Sequence, residues 1–422
     1  FIVIYVYLLL GVYVKFMMSV KRFIGNSGER VAILVGSDGI PLTYPNLYTT
    51  INFRNRGHSV NTIVAVLEDI KLLYQLLNKL QIDLKKRTQE KAFLELHEIE
   101  SLVNLASFKR SYLLHQKTDK KILSFPKKRI EAVRAKIVVR HDNVLKDLIY
   151  RRLTNFADYL HWLETYLCPT SSTNTSKNFK SRRPRKIRQQ SESYKSFDED
   201  QINLILNVVD PNNKKCIWTS KFLNYRNELI IYLFLYLGCR KGELLNIKLS
   251  DFPHKEGSSY INIKRNHDDQ TDARLYQPLV KTMSRTIALN LKLKQKIDQY
   301  VLNYRSLVPN VELSDFLLVS DEGNPLSINA LDKVFHQIST RVQFRVHAHA
   351  FRHTWNDKYT DKVQALIQSG KITEDQAERD RAYLMGWIPG SQSARRYARR
   401  AEDRRAVEIG LEIQKKFEEE NE

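Results

Sequence analysis

The chain is short of cysteine, of acidic charge and of long apolar runs, and each shortage closes off a class of protein. Its three cysteines, Cys168, Cys216 and Cys239, are scattered and odd in number. Such a set makes neither a disulfide framework nor a zinc ribbon, and it fits a reducing cytoplasm. No glycine-rich nucleotide loop and no internal repeat interrupts the sequence. The longest apolar stretch, Phe1 to Val14 with Gly11 inside it, is shorter than the roughly 18 to 20 residues of a spanning helix. It also has no basic lead and no small-residue cleavage site, so it does not read as a signal peptide. The chain opens on Phe rather than Met, and residues 1–18 are expected to be an upstream extension, with translation starting at Met17 or Met18. A membrane anchor is the alternative reading. Acidic residues number 47 against 68 Lys plus Arg, leaving a net charge of +21. That balance calls for a polyanionic partner bound by counterion release, and nucleic acid is the natural one.

A chain of 422 residues is long enough for two or three domains, each with its own core. Between 31 and 56 the residues suggest a hairpin, with Ser37-Asp38-Gly39 as its turn, and extended segments. Ser59 is a candidate N-cap for a helix whose apolar face is Ile63, Leu67, Ile70, Leu77 and Leu80. Further helices are expected over 89–107 and, in broken form, over 129–166, where Val144, Leu148, Leu153, Phe156, Tyr159 and Leu160 mark the apolar face. From 169 to 195 the sequence turns polar and then basic, with Lys177, Lys180, Arg182, Arg183, Arg185, Lys186 and Arg188. This stretch reads as a flexible tether between a helical domain, 19–168, and a second domain, 196–422. A like-charge run of this kind is either a solvated strap or a contact to phosphates that reads no sequence. The second domain is expected to hold helices at 198–209 and 291–304 and strands at 260–264, 274–280 and 285–289, which makes the whole chain mainly α with a small antiparallel sheet (α+β).

Chemistry concentrates in four motifs. Gly238-Cys239-Arg240-Lys241-Gly242-Glu243-Leu244-Leu245 follows the apolar run Leu229 to Leu237, which reads as a buried helix ending at Gly238. Lys281-Thr282-Met283-Ser284-Arg285-Thr286-Ile287 follows it in order. Next come His349-Ala350-Phe351-Arg352-His353 and then Gly386-Trp387, with Tyr397 downstream in Arg395-Arg396-Tyr397-Ala398-Arg399. Taken singly, each has an ordinary reading. Arg240 and Glu243 make a surface ion pair, His347, His349 and His353 offer spacings a metal could use, and a tyrosine in a chain with 21 of them is usually packing.

Together, in this order, the motifs resemble the tyrosine recombinases, the phage-integrase type of site-specific recombinase. The resemblance implies a catalytic domain over 196–422 and, by position alone, a core DNA-binding domain over 19–168. It implies that Arg240 and Arg352 clamp the non-bridging oxygens of a DNA phosphate while Tyr397 attacks phosphorus and holds a covalent 3′-phosphotyrosine. Lys281, in the turn of a β-hairpin, would protonate the leaving 5′-oxygen. His349 would act as general base or phosphate-oxygen donor, since imidazole changes protonation near neutral pH. Trp387 replaces the commoner histidine at its place; it could donate one indole N–H and pack on the nucleophile but moves no proton. Glu243 and His353 would support the site. Neither metal nor ATP would be needed, because the arginines carry the charge and the phosphotyrosine conserves the bond.

The same resemblance implies double-stranded DNA as partner, a homotetramer on paired sites, an accessory DNA-bending protein and a bacterial, nucleoid-associated location, with no small-molecule substrate and with a mobile element as the setting. It implies that the charged helix at 402–422, with Val407, Ile409, Leu411, Ile413 and Phe417, docks on a neighbouring subunit; folding onto its own domain is the alternative. A type IB topoisomerase would use the same Arg, Lys, His and Tyr chemistry. A DNA-binding protein that keeps the scaffold without catalysis is a third reading.

Overall fold

The computed structural model describes residues 18–115, 143–169, 173–185, 196–255, 258–266, 268–388, 406–407 and 409–419. They divide into two compact units, Phe1–Gln190 and Ser191–Glu422.

In the first unit, β1 (Ser19–Ile24) pairs antiparallel with β2 (Arg30–Val35). Their turn is closed by Gly25 N–H donating to Glu29 O at 2.8 Å. The Ser37-Asp38-Gly39 turn forms one step later and makes only an isolated bridge between Val35 and Pro41. The extended segments expected after it give way to α1 (Thr43–Asn52). Pro45 lies in the first turn of α1, where the missing N–H costs nothing. Asn46 then ties the helix to β2, accepting from Leu34 N–H at 2.8 Å and donating to Leu34 O at 2.9 Å.

The core of this unit is built on α2 (Val60–Lys79), N-capped by Ser59, with Ile63, Leu67, Ile70 and Leu77 buried as the spacing implies. The helix expected over 89–107 is shorter, α4 (Leu96–Ala106), and a separate α3 (Leu84–Gln89) precedes it. Lys91 adopts φ +55 between them, a left-handed conformation that no helix continues. A short α5 (Arg110–His115) follows. Of the 129–166 stretch, residues 143 onward are described and give α6 (Lys146–Leu167), which buries Leu153, Phe156, Tyr159 and Leu160. Its Arg151 grips the buried Asp69 of α2 through Nε at 2.9 Å and Nη2 at 3.0 Å.

In the second unit, α8 (Glu199–Val209) starts at a capping box, with Asp198 accepting from Gln201 N–H at 2.7 Å. Before it, at the end of the first unit, α7 (Thr175–Ser181) occupies part of the stretch expected to be a tether. The central helix is α9 (Lys221–Leu237), buried on most faces, as the uninterrupted apolar run Leu229 to Leu237 implies. Short α10 (Lys241–Leu245) follows it directly. Strands β3 (His254–Lys255), β4 (Ser258–Ile263) and β5 (Arg285–Leu289) form one antiparallel sheet in that order, with Ile261 opposite Ile287.

The strand expected over 274–280 is absent. Arg274 instead donates to Leu245 O at 3.1 Å and Leu326 O at 2.7 Å, and Pro278 O accepts from Asn246 Nδ2 at 2.6 Å. The segment is thus held irregular against α10 by side chains, and Pro278 has no N–H to give a ladder. Beyond β5 come α11 (Leu291–Asn303), α12 (Ile328–Val342), α13 (Ala348–Gln368) and α14 (Glu374–Met385). Phe351 of α13 is fully buried, with its ring on those of Phe197, Phe234 and Phe335. This packing fixes α13 against α9 and therefore sets where its polar face lies. Among the described residues no helix is long and apolar enough to cross a membrane, and the 1–14 stretch lies outside them.

Candidate active site

Helix α9 stops at Gly238, whose φ of +55 is left-handed. A side chain there would strike Trp355 and Met385, so only glycine lets the chain turn in this space. Two residues later Arg240 stands at the N-cap of α10 with a half-buried side chain. Its Nη1 is buried with no hydrogen-bond partner, and the nearest carboxylate oxygen, Glu243 Oε1, lies 3.6 Å away. A buried guanidinium donor in this state is satisfied by an arriving anion oxygen.

Glu243 is not the exposed partner of a surface ion pair. Its side chain has no exposure and joins the 240–243 turn to the 282–285 segment. It accepts from Arg240 N–H at 3.2 Å, from Thr282 Oγ1–H at 2.6 Å and from Arg285 Nη2–H at 2.8 Å. Burial alone would raise its pKa, but the charges of Arg285 and Arg352, with the hydrogen bonds from Arg285 and Thr282, hold it below the ordinary glutamate value. The same environment, through burial first and Glu243 second, pushes the Cys239 thiol far up, so that group is an inert part of the core.

Helix α13 is capped by His347, whose Nδ1 accepts from Ala350 N–H at 3.2 Å. This places His349 in the first turn, exposed, with Arg352 and His353 one turn on. The rings of His349 and His353 meet edge to face at 4.4 Å. Arg352 is 1% exposed. It donates to Gly238 O and to Met385 O, each at 2.8 Å, and its guanidinium lies over the Trp387 ring at 5.3 Å. Arg352 therefore knots the end of α9 to the end of α14. Among the described residues no three His, Cys, Asp or Glu side chains gather as a metal site would need.

Helix α14 closes in a Schellman turn, with Trp387 N–H donating to Ala382 O at 2.8 Å and Gly386 at φ +62. Gly386 has a second reason to be glycine: a Cβ there would meet Arg285, Thr282 and Met283 O. Trp387 is buried with Met385, Ala382 and Trp355. Tyr383 is 56% exposed and donates weakly to Thr286 O at 3.4 Å. Lys281 is exposed on the connection from β4 to β5. This departs from a tight lysine hairpin, because β5 pairs with β4 across a long loop and 274–280 is no strand. Tyr397 lies outside the described residues, as do Lys186 and Arg188.

Two participants were not singled out from the sequence, Thr282 and Arg285. The signal was present: β5 alternates buried and exposed, and Arg285 shares its parity with the buried Ile287, which puts an arginine on the inner face. Of the basic residues at 177–188, Lys180 pairs with Asp158 at 2.7 Å and Arg182 with Glu100 at 2.6 Å. Arg183 lies over the Tyr150 ring at 4.6 Å. All three contacts hold α7 to its own unit, where Phe179 is fully buried. Lys177 and Arg185 have no such ties. Residues 406–407 and 409–419 are helical and carry Val407, Ile409, Leu411, Ile413 and Phe417 exposed.

Residues 195–368 match the model of the phage integrase family. No curated protein matches the chain. Among solved structures, a lambda integrase dimer bound to a COC′ core site is similar at TM-score 0.44 and 13% identity, over 84% of this chain and 76% of that one. XerH recombinase bound to its difH substrate is similar at TM-score 0.36 and 17% identity, over 60% of this chain and 76% of that one. The Tn1549 transposon integrase with circular intermediate DNA is similar at TM-score 0.39 and 14% identity, over 60% and 75%. The matched segment, 195 to 368, holds Arg240, Glu243, Lys281, His349 and Arg352.

Proposed function

We propose that the protein is a site-specific recombinase that cuts and rejoins DNA strands through a phosphotyrosine at Tyr397. The observation that carries this reading is the gathering of Arg240, Arg352 and the Lys281 loop around one buried carboxylate, Glu243, beside the turn at Gly386-Trp387. Arg240 offers a buried donor with no acceptor to a non-bridging phosphate oxygen. Arg352 adds positive charge from below, in a setting of low dielectric where that charge acts strongly. The tyrosyl oxygen attacks phosphorus, the bond from phosphorus to the 5′-oxygen breaks, and Lys281 gives that oxygen its proton. His349, exposed at the start of α13, serves as general base that takes the Tyr397 phenol proton, or as hydrogen-bond donor to a phosphate oxygen.

In this reading the partner is double-stranded DNA, held by both units and by Lys177 and Arg185, and the working form is a homotetramer on paired sites of a mobile element, with an accessory bending protein. The cell compartment is the cytoplasm. The test uses a duplex carrying the ends of the element that encodes the chain. Tyr397→Phe is expected to bind this duplex nearly as tightly as wild type and to form no covalent adduct. Arg240→Ala or Arg352→Ala is expected to lower cleavage by about a hundredfold or more. Normal cleavage by Tyr397→Phe removes the nucleophile assignment.

A further inference from the structure

We infer that Arg285 is a positioning residue that sets the register of the Lys281 loop against the Arg240 site, and so controls protonation of the leaving oxygen. The inference rests on the proposed strand-cleavage reading and adds to it a residue buried behind Lys281 and bonded to Glu243 and Leu384 O.

The geometry is specific. Arg285 opens β5, with its side chain 1% exposed. One face of its guanidinium fork meets Glu243 Oε2 at 2.8 Å, and Nε donates to Leu384 O, at the end of α14, at 2.7 Å. A single planar group thereby fixes the distance between the α10 start and the α14 end, as a lysine's point charge cannot. Of the residues between Lys281 and Arg285, Thr282 and Met283 are sewn to the same two places, while Ser284 Oγ accepts from Arg265 N–H at 3.0 Å. Thr282 donates to Glu243 Oε1 at 2.6 Å, and Met283 N–H donates to Gly386 O at 2.9 Å. Lys281, exposed, is the first residue on the N-terminal side of this stitching. Its reach is therefore decided by Arg285, Thr282 and Gly386, not by contacts of its own.

During cleavage the phenol proton of Tyr397 passes to His349, the phosphorus–tyrosyl bond forms as the bond to the 5′-oxygen breaks, and a proton passes from Lys281 Nζ to that oxygen. If Arg285 acts by placing the donor, its loss matters only when the leaving group needs a proton. A substrate with sulfur in place of the bridging 5′-oxygen leaves as a thiolate, whose conjugate acid is far stronger than an alcohol. The experiment compares Arg285→Lys with wild type on nicked duplexes carrying oxygen or sulfur at the cleaved position. Arg240→Ala and Lys281→Ala serve as references.

Arg285→Lys is expected to keep a cooperative melting transition, at a lower temperature, and its DNA affinity, to lose about tenfold or more of cleavage on the oxygen substrate, within the range of general acid catalysis, and to recover on sulfur as Lys281→Ala does. Equal loss on both substrates would place Arg285 with the phosphate clamp and overturn the inference. No loss on either, or loss of folding or of DNA binding, would overturn it as well. If wild type itself forms no adduct at Tyr397 on either substrate, it is the underlying cleavage reading that fails instead.

Discussion

Glu243 keeps its charge in a place without water because arginines surround it. Removing its carboxylate would leave Arg285 and Thr282 with unanswered donors, at a cost of about 3 to 5 kcal/mol. Its pKa is held below the ordinary value, so its contribution to stability is fully present above the unfolded-state pKa and is lost as the pH falls through the folded one. Wild type is therefore expected to lose melting temperature steeply as acid protonates Glu243, below the ordinary glutamate range. Glu243→Gln, less stable at neutral pH, should lose less over the same interval, and thermal melts across the acid range measure both. A variant with the same acid slope as wild type would show that Glu243 does not carry this linkage. At this scale much was legible. Arg240, Glu243, His349 and Arg352 stand in local motifs whose spacing survives in the fold. The burial of Glu243 was not legible, since an Arg-x-x-Glu pair looks the same whether its acid faces solvent or a second arginine from a distant strand.

At the scale of elements, α10 and the irregular 274–280 segment are pressed together. A Cβ on Gly242 would collide with the Leu279 carbonyl, which is backbone and cannot swing aside. Gly242→Ala is thus expected to push the segment outward and carry Lys281 with it. The expected outcome is about 1 to 3 kcal/mol of lost stability by urea unfolding, with a fall in cleavage larger than the fall in DNA binding. Cleavage unchanged by the substitution would mean that the loop takes its position from elsewhere. Helices at 198–209 and 291–304 could be read from caps and periodicity, because Asp198 and Asn290 supply the same cap chemistry that the fold uses. The 274–280 strand could not be judged correctly, because what cancels it is Arg274 reaching to Leu245 and Leu326, contacts far away in sequence. Likewise α7 escaped detection in a polar stretch, since one buried Phe179 and one buried Thr175 suffice to dock a helix of two turns.

For the whole molecule, the net charge of +21 is expected, under the proposed function, to dominate encounter with DNA. Affinity for a random duplex is expected to fall linearly in log–log form with salt, as counterions are released. Replacing Lys177 and Arg185 together by Ala should reduce the slope by about 2 if both contact phosphates; fluorescence anisotropy at several salt concentrations gives that slope. An unchanged slope would return both to the role of solvated surface charge. Net charge was plain from composition, whereas the division of labour among the basic residues was not. Lys180, Arg182 and Arg183 are drawn into ion pairs and a ring contact within their own unit, which no run of basic letters discloses.

One measurement bears on the central claim more directly than any other. A duplex from the element's ends, nicked so that the cleaved strand cannot be religated, should trap the protein on its 3′-phosphate, and proteolysis with mass spectrometry should place the nucleotide on the peptide containing Tyr397. A nucleotide attached to Tyr383 or to any other side chain, or cleavage that leaves a free phosphate and unmodified protein, would contradict the claim.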